Sequence, residues 1–138
     1  MSYEIQIRPD LNIAFFKFEG RVTTREATQS FLDYVARPDF SPQLIMLSDA
    51  REVTHVDSQF LEIFSHIQGL STPLKQFENG ATSVVLVSNE LVYGMIRMLE
   101  QVLDIFSAIT IKVTKEEAKA LRLCGRHETR LSEIWPTP

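Results

Sequence analysis

Leu44-Ile45-Met46-Leu47-Ser48-Asp49-Ala50-Arg51-Glu52-Val53-Thr54-His55-Val56-Asp57-Ser58-Gln59-Phe60-Leu61 is the stretch on which the reading of this chain turns. It opens on an unbroken apolar run, Leu44 to Leu47. Such a run suits a central strand buried on both faces. Asp49 then reads as a strand-end residue, with Arg51 as its local partner. Asp57 or Ser58 opens a helix, because a short polar side chain can accept from the free N–H groups of a first turn. Phe60, Leu61, Phe64 and Ile67 follow at helical spacing, and Gly69 stops them. Thr72-Pro73 starts one more turn, with proline near the first helical position.

Upstream, Tyr3, Ile5 and Ile7 alternate with Glu4, Gln6 and Arg8, the period of a half-buried strand. Pro9-Asp10-Leu11-Asn12 is turn chemistry. Ile13 to Phe18 is a second apolar run, ended by Glu19-Gly20, and the two runs form a hairpin. Thr23 or Thr24 caps a helix with Ala27, Phe31, Tyr34 and Val35 on its apolar side, closed by Pro38 and Pro42. Downstream, Val84 to Val87 is a buried strand. Asn89 caps a third long helix through Leu91, Met95, Leu99, Val102 and Phe106. Ile109 to Val113 is the fifth strand, and Thr114-x-x-Glu117 matches a capping box opening a last helix that Gly125 ends.

Strands alternating with helices after a hairpin imply βαβ units. The expected fold is therefore α/β: a mixed, mostly parallel sheet of four or five strands with about four helices. The domain is expected over 1–125, with 126–138 as a C-terminal tail.

Composition narrows the partners. The chain has 138 residues, 44% of them hydrophobic, and a net charge of −4. A chain of this length buries roughly 70% of its unfolded surface and needs no staple. The acidity and the lack of a basic stripe argue against nucleic acid. Cys124 is the single cysteine, which fits a reducing compartment. Met1 to Pro9 lacks the apolar core of a signal peptide, and no stretch is apolar for long enough to span a membrane. The expected location is cytoplasmic.

Catalytic chemistry is hard to assemble from these residues. His55, His66 and His127 have no metal-site spacing, so no metal and no cofactor is expected. Cys124 with His127 is a conceivable nucleophile pair, but a cysteine at a helix C-terminus is disfavoured as thiolate, and packing is the expected role. An acid–base site would require Asp49, Arg51, His55 and Asp57 in one cleft. No phosphate-binding glycine pattern is present. A non-enzymatic protein is the expectation. The helix over 91–106 carries more apolar surface than one sheet face needs. Leu91, Met95, Met98, Leu99, Val102 and Phe106 are accordingly candidates for a homodimer surface or for one wall of a small apolar ligand site.

The segment Asp49 to Leu61 resembles the central motif of anti-sigma factor antagonist (STAS) domains: Asp, three residues, an aliphatic, two residues, an aliphatic, then Asp-Ser-Ser-Gly-Leu. Asp49, Val53, Val56, Asp57, Ser58 and Leu61 match, while Gln59 and Phe60 replace Ser-Gly. Gly94-Met95-Ile96-Arg97-Met98 and Glu116-Glu117-Ala118 with Leu121 resemble later parts of the broader SpoIIAA-like (STAS/SEC14-like) group, though Arg122 stands after Leu121 where the group has a Trp-Leu ending. The resemblance runs from residue 3 to about residue 124. It implies a SpoIIAA-like fold and a regulatory, protein-binding role. Asp49, Arg51, Val53, His55, Asp57, Ser58 and Phe60 would form the partner contact, with Ser58 as phosphoacceptor. The alternative is a carrier or sensor of a small lipid-like ligand held between the sheet and the helix over 91–106.

Overall fold

The computed structural model describes residues 3–57 and 60–135. β1 (Tyr3–Arg8) and β2 (Ile13–Thr23) form the antiparallel hairpin, with Tyr3 opposite Phe18 and Arg8 opposite Ile13. A 3-10 turn at Pro9–Leu11 joins them and ends at Asn12, whose φ of 58° is left-handed backbone that asparagine tolerates. The Asn12 carbonyl accepts from the Ile45 N–H at 2.9 Å and so starts β3 (Ile45–Asp57) beside β2.

β2 does not end at Glu19-Gly20, nor β3 at Asp49; the two strands stay paired to Thr23 and Asp57. Two irregularities make this possible. While β2 advances from Lys17 to Glu19, β3 advances from Asp49 to Glu52. While β2 advances from Gly20 to Arg21, β3 advances from Val53 to His55. Gly20 supplies the positive φ, 70°, at the second. Each irregularity puts one extra residue into β3, and each extra residue reverses which face its followers present. Val53 and Val56, three apart, thus join Met46, Ser48 and Ala50 on one face of the sheet.

α1 (Thr24–Val35) is capped by Thr23, whose hydroxyl accepts from the Glu26 N–H at 3.1 Å. α2 (Phe60–Gly69) and the single turn α3 (Ser71–Leu74) lead to β4 (Ala81–Val87). β4 stops pairing with β3 at Val87 opposite Ala50. Beyond it, Ser88 Oγ donates to the Arg51 carbonyl at 2.6 Å and Asn89 Nδ2 to the Val53 carbonyl at 3.3 Å, so the freed edge of β3 is met by side chains. The Asn89 amide oxygen also caps α4 (Glu90–Phe106), accepting from Val92 at 2.9 Å. β5 (Ile109–Thr114) and α5 (Glu117–Leu123) complete the order.

Thr114 is not the helix cap expected of it. It is the buried last residue of β5, and its hydroxyl accepts from the N–H of Glu116, the residue that caps α5. At the other end of α5, Gly125 at φ 76° lets the Arg126 N–H reach the Leu121 carbonyl at 2.9 Å, the usual close of a helix.

The strands lie in sequence order, β1 to β5, all parallel after the hairpin. Right-handed crossovers between successive neighbours place every connecting helix on the same face. α1, α3 and α4 accordingly share one core with Ala14, Phe16, Met46, Val85 and Ile111. α5 has no further strand to reach and turns to the opposite face. There it is joined by the 126–135 segment: Leu121, Cys124, Leu131, Ile134 and Trp135 cover Ile13, Phe15, Leu47, Val84 and Leu86. This is a five-stranded mixed α/β sheet with a layer on each side.

Candidate functional site

The two faces are filled differently. On the α5 face, Phe15, Leu47, Val84 and Leu121 are wholly buried, and the Phe15 ring lies 4.8 Å from the Trp135 ring. On the other face one end is filled by aromatic rings. Tyr34 meets Phe16 edge-on at 5.1 Å and Phe40 at 4.8 Å, and Phe77 lies 5.7 Å from Phe40. The rest of that face holds a cavity of about 250 Å³.

The floor of the cavity is the sheet: Phe16, Phe18 and Val22 from β2, Met46, Ser48, Ala50, Val53 and Val56 from β3, Ser83 and Val85 from β4, Ile109 and Ile111 from β5. α1 contributes Ala27, Thr28 and Phe31 to the walls, and α4 contributes Val92, Met95, Ile96, Leu99 and Leu103. α2 packs on α1 and α4 and lends His66 to the lining. The two bulges in β3 therefore shape the cavity directly, because without them Val53 or Val56 would turn to the other face.

Among the described residues, no Asp, Glu, Lys or Arg lines this space. Its polar groups are hydroxyls and one imidazole. Thr28 Oγ1 and His66 Nδ1 lie 3.4 Å apart where α1 meets α2, with the donor set by the ring tautomer. The Ser30 hydroxyl is spent on the Ala27 carbonyl at 2.7 Å, and that of Thr23 on the α1 cap. Such a site excludes charge and favours apolar matter with little polar decoration.

The residues singled out on the helix over 91–106, now α4, divide. Met95 and Leu99 line the cavity, Val102 is buried, and Met98 is half-buried against the same core. Leu91 is 61% exposed and Phe106 37%, with Ile105 at 73%. The motif residues divide too. Asp49 and Val53 are buried, on opposite faces. Arg51 reaches both Asp49 oxygens, Nε at 2.9 Å and Nη2 at 3.0 Å. Its Nη1 meets Glu117 Oε2 at 3.2 Å, and that oxygen also accepts from the Leu131 N–H at 2.8 Å. Burial works to raise the Asp49 pKa, but the Arg51 hydrogen bonds outweigh it and hold the carboxyl below its ordinary value. Asp49 thus ties β3 to α5 and the tail.

His55 is exposed beside Thr54, with Nδ1 to Oγ1 at 3.1 Å, and Asp57 pairs with Arg21 at 3.2 Å. Asp49 and Arg51 pair with each other while His55 and Asp57 have separate partners, so the four are not gathered into one acid–base cluster. Ser58 lies outside the described residues, as does the Phe60 side chain. Cys124 packs in the α5-face core, where burial pushes its thiol up to about 12, and His127 is exposed. Among the described residues no three His, Cys, Asp or Glu side chains are grouped to hold a metal, and no helix is long and apolar enough to cross a membrane.

Of the residues the sequence singled out for a ligand between sheet and helix, Met95 and Leu99 border this cavity, while the individual floor residues and the Thr28–His66 pair were not named. The available signal was Ser48 and Ser83, each breaking the apolar face of a central strand.

No protein-family sequence model matches the chain, and no curated protein does. Among solved structures, it is similar to an uncharacterized DUF3478-family protein with a SpoIIAA-like fold from Shewanella loihica PV-4. The TM-score is 0.52 at 17% identity, over 88% of this chain and 91% of that one. A likeness that spans nearly all of both chains at so low an identity speaks for the fold, and the fold of this chain is SpoIIAA-like.

Proposed function

We propose that this protein carries or senses a small, uncharged apolar molecule, held between the sheet and α4. One observation carries the reading: a cavity of about 250 Å³ with no Asp, Glu, Lys or Arg in its wall among the described residues. A dry cavity of about 150 Å³ already takes up benzene, and pockets for drug-sized ligands begin at about 300 Å³. The occupant is therefore larger than a single ring and smaller than a typical drug. Water gains few hydrogen bonds in a space lined so largely by carbon, so an apolar occupant is favoured over it. The surplus apolar surface of α4 has the same explanation, since Met95 and Leu99 face the cavity. Nothing in this reading calls for catalysis.

The test is the mass of the protein isolated from its own host. Extra mass is expected under native conditions and lost on denaturation. A bare chain that also fails to take up ethylbenzene in solution would overturn the proposal.

A second reading, a regulatory module that docks a protein partner, is favoured by the extension of β3 past β4. Glu52, Thr54, His55 and Asp57 are exposed along it, just before Ser58. Ser58→Asp would then weaken capture of that partner without unfolding the chain. Equal capture by both forms would remove the phosphoacceptor role. Pairing of two chains, in this reading, would use Leu91, Ile105 and Phe106 of α4.

A further inference from the structure

The cavity floor contains two groups that an apolar ligand alone leaves unexplained. Ser48 lies on central strand β3, level with Phe16 on one side and Val85 on the other. Ser83 lies on β4, level with Met46 and Ile111. Their cross-strand neighbours offer no donor, and no acceptor stronger than the Met46 thioether. Neither hydroxyl has a hydrogen-bond partner among the described residues. Neither is sealed in protein, because both face the open space of the cavity. A hydroxyl in an apolar surrounding is costly unless it is paired, and a valine at either place would close the floor with carbon. Other hydroxyls at the cavity rim are already engaged: Thr23 on its helix cap, Ser30 on a carbonyl, Thr28 beside His66.

From this asymmetry we infer that the ligand carries an uncharged hydrogen-bonding group, a hydroxyl or a carbonyl, that reaches the sheet floor and pairs with Ser48, with Ser83 as a second contact. The inference rests on the cavity being a ligand site. It adds the chemical class: a neutral amphiphile bound polar group inward, neither a plain hydrocarbon nor an anion. A carboxylate at the floor would meet no Lys or Arg, because none lines the cavity among the described residues, and His66 lies on the helix side where α1 meets α2.

Three probes of one shape separate the possibilities: ethylbenzene, 4-ethylphenol and 4-ethylbenzoate, titrated against the wild type and Ser48→Ala at neutral pH. The expected result is that Ser48→Ala weakens 4-ethylphenol about three- to tenfold, the worth of one hydrogen bond, and leaves ethylbenzene unchanged. The benzoate is expected to bind weakest to both proteins. Ser48→Ala removes an unpartnered hydroxyl, so it should melt no lower than the wild type, which guards against a folding artefact. If the substitution changes both neutral probes equally, or neither, the polar-inward assignment is wrong while the cavity reading survives. A benzoate that binds as tightly as the phenol overturns the neutral class. Failure of all three probes with the wild type overturns the inference and the cavity reading together.

Discussion

One sheet presents two faces, yet one is solid and the other hollow. On the α5 face, a seven-residue helix and the tail place Leu121, Leu131, Ile134 and Trp135 directly onto Ile13, Phe15 and Leu86. On the opposite face, α1 and α4 lie on the sheet while α2 spans from one to the other, leaving about 250 Å³ beneath. The difference lies in the cover and in the floor. A short helix and a loop follow the α5 face residue by residue, while on the other face helices bridge one another above the small side chains of Ala14, Ser48, Ala50 and Ser83. One face is closed, and the other carries the opening on which the proposed function rests.

That contrast is broken or upheld by truncating one large side chain on each face. Phe15→Ala removes a fully buried ring that packs on Trp135, and should cost about 3–5 kcal/mol. Leu99→Ala removes a side chain that already borders open space. Fewer contacts are lost, and the cost should be about 1–2 kcal/mol, below the usual range for leucine. Urea unfolding of the two variants gives the comparison. Equal costs would mean that the two faces are packed alike and that the cavity has no energetic reality.

The sequence carried the elements better than their cover. Apolar runs at 13–18, 44–47, 84–87 and 109–113 marked four strands, and Asn89 and Thr23 or Thr24 marked two helix starts, because each signal is local, whereas 126–138 read as a tail although Leu131, Ile134 and Trp135 pack into the solid face. What was not legible depends on pairing. The β3 bulges exist only against β2, so Val53 and Val56, three apart, carry no strand period when read alone. Asp49 looked like a strand end because a charge interrupts an apolar run. In the structure it is a buried anchor made tolerable by Arg51, a partner from the same strand. Ser48 and Ser83 looked unremarkable because their meaning comes from the space in front of them.

Acid should distinguish the faces by a different route. Asp49, Arg51, Glu117 and the Leu131 N–H form a chain from the sheet to the cover of the solid face. The Asp49 carboxyl is held below its ordinary 3.8. A depressed carboxyl pKa gives stability that is present above the unfolded value and is lost as the pH falls through the folded one. Asp49→Asn should therefore cost about 1–2 kcal/mol at neutral pH, the lower part of the range for charged hydrogen bonds, because solvent screens the half-exposed Arg51. The gap between variant and wild type should narrow below pH 3.8, as the wild type takes up its own proton. The consequence is regional. Amide exchange at 131–135 should speed up in the variant at neutral pH, and in the wild type only in acid, while exchange in α4 stays slow in both. Faster exchange in α4 with no change at 131–135 would show that Asp49 supports the hollow face, and that the division between the faces is drawn in the wrong place.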